Sequence, residues 1–284
     1  MYNFPIGVIL ESFRRERSEA IRSAAALGAN GIQMYATHGD NSPENLNASD
    51  RRALLDEVRG NGLVFSALCG DMGMGFWDRQ QHAELIEKSK RIIDLAKDLD
   101  TNVVTTHIGV VPADKNHERY KIMQEACFQL ARYAESCEAY FAVETGPEPA
   151  DVLKGFLNSL GSKGVSVNLD PANLVMSLNV DPVEAVYTLK DYIVHTHAKD
   201  GLHYQMIPPE YDYHVLPMPE EYKNIRAYEE VPLGKGAVDF NRYLKALDEI
   251  GYKGFLTIER EVGAKPEQDI RTAYDYLHKI IGTN

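Results

Sequence analysis

The sequence predicts an α/β fold, a TIM (β/α)8 barrel with a long loop insertion after strand 7, and three observations carry that prediction. Eight short apolar, β-branched runs alternate with eight amphipathic stretches along the 284 residues. Acidic or imidazole residues end several runs at a near-constant interval: Glu144 to Asp170 is 26 positions, and Asp170 to His197 is 27. One strand, one helix and two short loops take about that many residues. The competing architecture, a doubly wound open sheet, rarely keeps eight regular repeats, and no Gly-x-Gly-x-x-Gly follows the first run.

Taken in order, the strands are expected at 4–10, 31–36, 63–68, 102–108, 140–144, 165–170, 193–197 and 254–259. Helical patterns lie between and after them, near 16–28, 49–61, 82–98, 117–138, 150–160, 182–190, 239–250 and 267–281. Several helices end in a glycine turn (ALGANGIQ, RGNGLVF, EIGYKGFL), where glycine permits the left-handed cap that stops a helix. Two loops stand out. The loop after strand 3, GDMGMGFWD, ends in the only tryptophan, Trp77. The insertion after strand 7 runs from Gly201 to about Gly236, with Tyr204, Tyr211, Tyr213, Tyr222, Tyr228 and five prolines. Both leave the C-terminal mouth of the barrel, where such folds bind ligands, so a lid or a subunit contact is expected there. With no linker or low-complexity stretch, residues 1–284 read as a single domain.

Composition narrows the function. At 44% hydrophobic and 25% charged residues, the chain can build a large core and is not of the disordered class. A net charge of −12 argues against a nucleic-acid surface, because phosphate backbones need a basic patch. Cys69, Cys127 and Cys137 form no close zinc-type pair and read as reduced thiols of a cytoplasmic protein. The start, MYNFPIGVIL, has neither the basic segment nor the apolar length of a signal peptide, and no run reaches the ~18 apolar residues of a membrane span.

Four residues at the ends of strands 5 to 8 are the candidate site: Glu144, Asp170, His197 and Glu259. Parallel strands at matching heights bring them to one mouth of the barrel. Two Glu, one Asp and one His are a mostly hard ligand set. It suits one divalent ion, Mn²⁺ first, with Mg²⁺, Co²⁺ or Zn²⁺ as alternatives. Such an ion can hold two oxygens of a hydroxy-ketone and stabilise the enediolate left when a carbon-bound proton departs. Glu144 and Glu259, from opposite sides of the mouth, are the candidate acid/base pair. Return of the proton to the opposite face is epimerisation; return to the neighbouring carbon is isomerisation. Singly, each residue has a plainer reading, and Asp170 before Pro171 also fits a helix cap. His107 ends strand 4 at the same mouth, as a substrate hydrogen-bonder or a structural histidine. His195 is expected to point away from His197 and to be packed or supporting. His38, His203 and His214 fall in loops, where solvation is expected.

The run HTHAKDG, with VPLGKGAVDFNRYLKALDEIGYKGFLTIERE after the insertion, resembles the xylose isomerase-like barrel superfamily, in particular its sugar-phosphate isomerases and epimerases. The resemblance covers most of the chain and is strongest from Tyr140 onward. It implies one divalent metal on Glu144, Asp170, His197 and Glu259, with the two glutamates as acid and base. It also implies a small sugar or sugar phosphate as substrate, touched by Asn173, three positions after the metal aspartate, where some ketose epimerases carry histidine. His203 stands where those epimerases often have arginine. Lys199 is a candidate partner of substrate or carboxylate, with a salt bridge to Asp200 as the plainer role. Glu148 is placed to meet a sugar hydroxyl. The GKG turn around Lys235 has the look of a phosphate nest, although Asp239 beside it fits a helix cap. The tyrosine-rich insertion suggests a homo-oligomer. The same barrel also resembles lyases, among them inosose dehydratase and C-glycoside-cleaving enzymes, which begin with the same proton abstraction and then expel a leaving group. A phosphodiesterase resembling endonuclease IV would need more metal ligands than this quartet, and a sugar-binding barrel with a vestigial site would not need it whole.

Overall fold

The apolar runs of the sequence pair side by side in chain order until the last meets the first. The computed structural model describes residues 2–283. The barrel strands are β1 (Ile6–Ile9), β2 (Gly31–Tyr35), β3 (Val64–Cys69), β4 (Val103–Thr106), β5 (Tyr140–Glu144), β6 (Val165–Leu169) and β7 (Ile193–Ala198). After a ribbon of two short strands, β8 (Asp200–His203) and β9 (Tyr228–Val231), the strand β10 (Leu256–Ile258) closes the barrel between β7 and β1. Every pairing in the barrel is parallel, while β8 and β9 are antiparallel.

The helices are α1 (Arg17–Leu27), α2 (Ala48–Gly60), α3 (His82–Asp98), α4 (Glu118–Ser136), α5 (Ala150–Ser159), α6 (Pro171–Leu178), α7 (Pro182–Leu189), α8 (Pro209–Asp212), α9 (Phe240–Glu249) and α10 (Pro266–Thr283). Those that follow the predicted pattern present an apolar stripe to the outer wall. In α9 the buried residues Phe240, Tyr243, Leu244 and Leu247 fall at the i, i+3, i+4, i+7 spacing of one helix face. Local chemistry fixes the starts: Asn47 and Asp50 form a reciprocal capping box at α2, satisfying backbone donors that the first turn leaves unpaired. The main core is the apolar layer between strands and helices.

The interior of the barrel is different in character. At the N-terminal end Ala67, Val103 and Ala142 make a small apolar floor. Above it sit buried polar side chains, including Gln33, Ser66, Thr105, Asn168, His195 and Thr257. Buried polar groups persist when they bond to one another, and these do: Gln33 donates to Thr105 Oγ1 at 3.1 Å, and His195 bridges Asn168 and Thr257 at 2.9 Å each.

Four of these elements lie outside the predicted map, one of them the single turn α8 within the insertion. The α6 helix follows β6 directly, and β8 and β9 form a ribbon at the base of the insertion. Among the described residues no helix is long and apolar enough to cross a membrane.

Candidate metal centre

Strand register builds the site. Glu144, the last residue of β5, lies beside Asn168 of β6. Residues two apart in a strand face the same way, so Asp170 follows Asn168 toward the interior, one step higher. His197 pairs with Thr257 of β10, and Glu259 lies two positions beyond that threonine. Glu144, Asp170, His197 and Glu259 each bring a ligand atom within 4.8 Å of the others, and all four are buried.

Asp170 caps α6 with one oxygen only. Its Oδ1 accepts the N–H groups of Ala172 (2.7 Å) and Asn173 (2.9 Å). Its Oδ2 is buried and has no hydrogen-bond partner. A carboxylate oxygen in that condition is costly unless a cation meets it. The same holds for three buried carboxylates pressed together. A divalent ion among these atoms answers both demands, so the residues fit a metal.

His197 is oriented for the same task. Its Nδ1 faces Glu259 Oε2 (3.2 Å), Asp170 Oδ2 (3.4 Å) and Glu144 Oε2 (3.5 Å). Its Nε2 lies 3.2 Å from Gln33 Oε1, and Gln33 turns its amide nitrogen to Thr105. Asn168 Nδ2 also lies 3.2 Å from Nε2, so two amides position that side of the ring and leave Nδ1 facing the carboxylates, where an ion would sit. Burial opposes a charge on His197, but Glu259 and Glu144 hold its pKa well above the usual value. The cluster thus draws positive charge, which a bound ion would supply in place of a proton on Nδ1.

The two glutamates differ in their surroundings. Glu144 Oε2 receives Asn168 Nδ2 at 3.0 Å, and Oε1 receives Asn173 Nδ2 at 2.8 Å. Burial disfavours its charged form, yet His197 and His107 keep its pKa below the ordinary range. Glu259 Oε2 lies 3.0 Å from Lys199 Nζ, and Lys199 also bonds Glu261. Against the cost of burial, Lys199 and His197 hold Glu259 well below the usual carboxylate range. His107, just past β4, sets Nδ1 3.0 Å from Asp71 Oδ2 and Nε2 3.7 Å from Glu144 Oε1. Burial works against its protonation, but Glu144 and Asp71 prevail and push its pKa up to about 9.

These groups open onto a cavity of about 770 Å³ at the C-terminal mouth, lined also by Asn173, Trp77 and, from the insertion, Asp212, Tyr213 and Tyr228. The Tyr213 ring lies 5.7 Å from that of His107. Gly146, at φ 147°, makes the room, since a Cβ there would lie 2.5 Å from the Tyr213 hydroxyl and 2.7 Å from Asn173 Cβ. The insertion therefore forms part of the cavity wall.

A family model described as the xylose isomerase-like TIM barrel matches residues 21–280. The chain belongs to the xylose isomerase-like TIM barrel family. The L-ribulose-5-phosphate 3-epimerase UlaE of Escherichia coli K12 is 23% identical over 272 residues, 91% of this chain and 88% of that one. A xylose isomerase domain protein from Planctomyces limnophilus superposes with a TM-score of 0.79 at 24% identity, over 98% of this chain and 97% of that one. The D-psicose 3-epimerase of Clostridium cellulolyticum H10, solved with D-tagatose, does so at 0.71 and 14%, over 98% and 99%. At such identities the two structures speak for the fold.

Other sequence expectations fare differently in this xylose isomerase-like barrel. His195 does not point away from His197: two positions apart in β7, both rings face inward, with centroids 5.6 Å apart. His195 instead lies one layer deeper and fixes Asn168, which holds Glu144. Glu148 is not among the cavity-lining residues; buried beside the loop after β4, its Oε2 accepts the Val111 N–H at 3.0 Å. His203 is not solvated but half-buried on β8, its Nδ1 2.8 Å from the Met176 carbonyl. Lys199 pairs with Glu259 and Glu261 rather than Asp200. Asp200 takes the N–H groups of Gly234 (2.9 Å), Gly236 (2.9 Å) and Val238 (3.1 Å), so the GKG nest is already filled, and Lys235 is exposed beside it. Gly236 is needed there, because a Cβ would fall 2.1 Å from Asp200 Oδ1. The supporting residues Gln33, Asp71 and Asn168 have no role in the sequence reading, and Tyr213 enters it only as one tyrosine of the insertion. Gln33 and Asn168 each left a signal, an amide in a mostly apolar strand run.

Proposed function

We propose that this chain is a divalent-metal-dependent isomerase or epimerase of a small sugar, with Glu144 and Glu259 as the proton-transfer pair. The observation that carries the reading is one buried Glu-Asp-His-Glu cluster whose two glutamates come from wall positions separated by β6 and β7. Glu144, Asp170, His197 and Glu259 would hold the ion, Mn²⁺ being the first choice for this donor set. When bound, it would offset the negative charge that builds on two neighbouring substrate oxygens as a proton leaves carbon.

The remaining steps belong to the chain. One glutamate removes the carbon-bound proton from its side of the substrate. The other delivers a proton from the opposite side, and the direction of reaction decides which acts first. Asn173 and His107 orient Glu144, and Lys199 keeps Glu259 ionised and turned to the cavity. Trp77 and Tyr213 offer aromatic faces to the C–H face of a sugar. The relatives named as sugar 3-epimerases support the same class of chemistry.

The test is incubation of the Mn²⁺-loaded protein in D₂O with a panel of ketoses, followed by mass spectrometry of the recovered sugars. Deuterium at a carbon beside the carbonyl, with the molecular formula otherwise unchanged, is the expected result. Loss of water from the substrate would overturn the assignment in favour of a lyase.

A further inference from the structure

The lysine and arginine charges at the cavity are already spoken for, and His107 faces Asp71 and Glu144. Lys199, 4% exposed, lies between Glu259 (3.0 Å) and Glu261. Arg260, 7% exposed, forks between Glu230 Oε1 (2.6 Å) and Asp269 Oδ2 (2.9 Å). Among the described residues these are the lysine and the arginine that line the cavity. The backbone nest of Gly234 and Gly236 points into the Asp200 carboxylate. Carboxylates outnumber lysine and arginine on the lining, which also includes the aromatic side chains of Trp77 and Tyr213.

A phosphate dianion is held by free N–H donors and cations. Here it would have to break a buried ion pair and enter a field of carboxylates. An uncharged polyol has neither difficulty: its hydroxyls can donate to the carboxylates and its C–H faces can stack on the aromatic rings. We infer that the substrate of this site is an unphosphorylated, uncharged sugar and not its phosphate ester. The inference rests on the sugar isomerase reading and narrows it, and it separates this chain from a relative named for a sugar phosphate.

The experiment compares matched pairs, five- and six-carbon ketoses and their terminal phosphate esters, as substrates for deuterium exchange by the Mn²⁺-loaded protein. Bound Mn²⁺ is counted in the same samples, and inorganic phosphate is added as a competitor. The expected result is a kcat/KM at least tenfold higher for the free ketose, with exchange insensitive to millimolar phosphate. Preference for the ester, or competitive inhibition by phosphate, would overturn the inference while leaving the isomerase reading in place. Exchange with neither member of any pair, at full Mn²⁺ occupancy, would overturn both.

Discussion

Asp170 serves two neighbours with two oxygens, and substitution can separate them. Its Oδ1 caps α6 and its Oδ2 faces the ligand cluster. Asp170→Asn keeps a capping oxygen and removes the charge. We expect Mn²⁺ affinity to fall at least tenfold with thermal stability, measured without added metal, nearly unchanged. Asp170→Ala also loses the cap and should cost about 1 kcal/mol more. Equal Mn²⁺ binding by wild type and Asp170→Asn, in a calorimetric titration, would remove Asp170 from the ligand set. Glu148 makes a different prediction. Burial raises its pKa to about 8, outweighing the Val111 N–H and His107, which favour the charged form. The folded state then binds this proton more tightly than the unfolded chain, whose ordinary value is 4.5. Its contribution is complete below 4.5 and is lost as pH rises through about 8. Glu148→Gln should flatten the fall in melting temperature across that window, an effect of a few kcal/mol at most. A parallel fall in both proteins would show that Glu148 is already ionised in the fold.

At the scale of elements, the insertion is fastened by its base. Asp200 gathers the Gly234, Gly236 and Val238 N–H groups and so joins β8 to the turn before α9. Asp200→Ala leaves those donors short of a partner. Of the three, the Val238 N–H bond is the buried one, so the loss should be roughly 1–3 kcal/mol in urea unfolding, the cost of one buried unpaired donor. A loss below about 0.5 kcal/mol would mean that the turn holds itself. The elements that sequence reading missed share a physical reason. The α6 helix is short, and Pro171 through Met176 are all buried, so it has no polar face to set a helical period. The ribbon strands β8 and β9 have four residues each and draw on a polar stretch with no alternation. The barrel strands were legible because each is a short apolar run bounded by turn residues. The amphipathic outer helices were legible by their stripes.

Over the whole molecule, the barrel converts chain-distant residues into one charge cluster, and its four members could be read in advance. Ligand-type residues that end successive apolar runs must converge once the strands are parallel and in register, which made Glu144, Asp170, His197 and Glu259 visible together. Of their supports, only His195 was given a supporting role in advance. Gln33, Asn168 and His195 lie inside strands, and no spacing rule marks a polar residue that points into a barrel interior. The closed wall buries the cluster on every side but the mouth, and the cluster's carboxylates call for a cation. A ligand that binds only the folded state stabilises it by about 2.7 kcal/mol at a hundred times its Kd. A rise in melting temperature with Mn²⁺ that disappears in His197→Ala is therefore expected; an equal rise in both would place the ion elsewhere.

The most direct measurement of the central claim is deuterium exchange from D₂O into a turned-over ketose by wild-type protein, Glu144→Gln and Glu259→Gln, each with its Mn²⁺ content and circular dichroism recorded. The account predicts exchange beside the carbonyl by the wild type, and a loss of about 10²–10⁴-fold in each variant with the fold intact. Exchange at the wild-type rate in either variant would contradict the assignment of that glutamate to proton transfer.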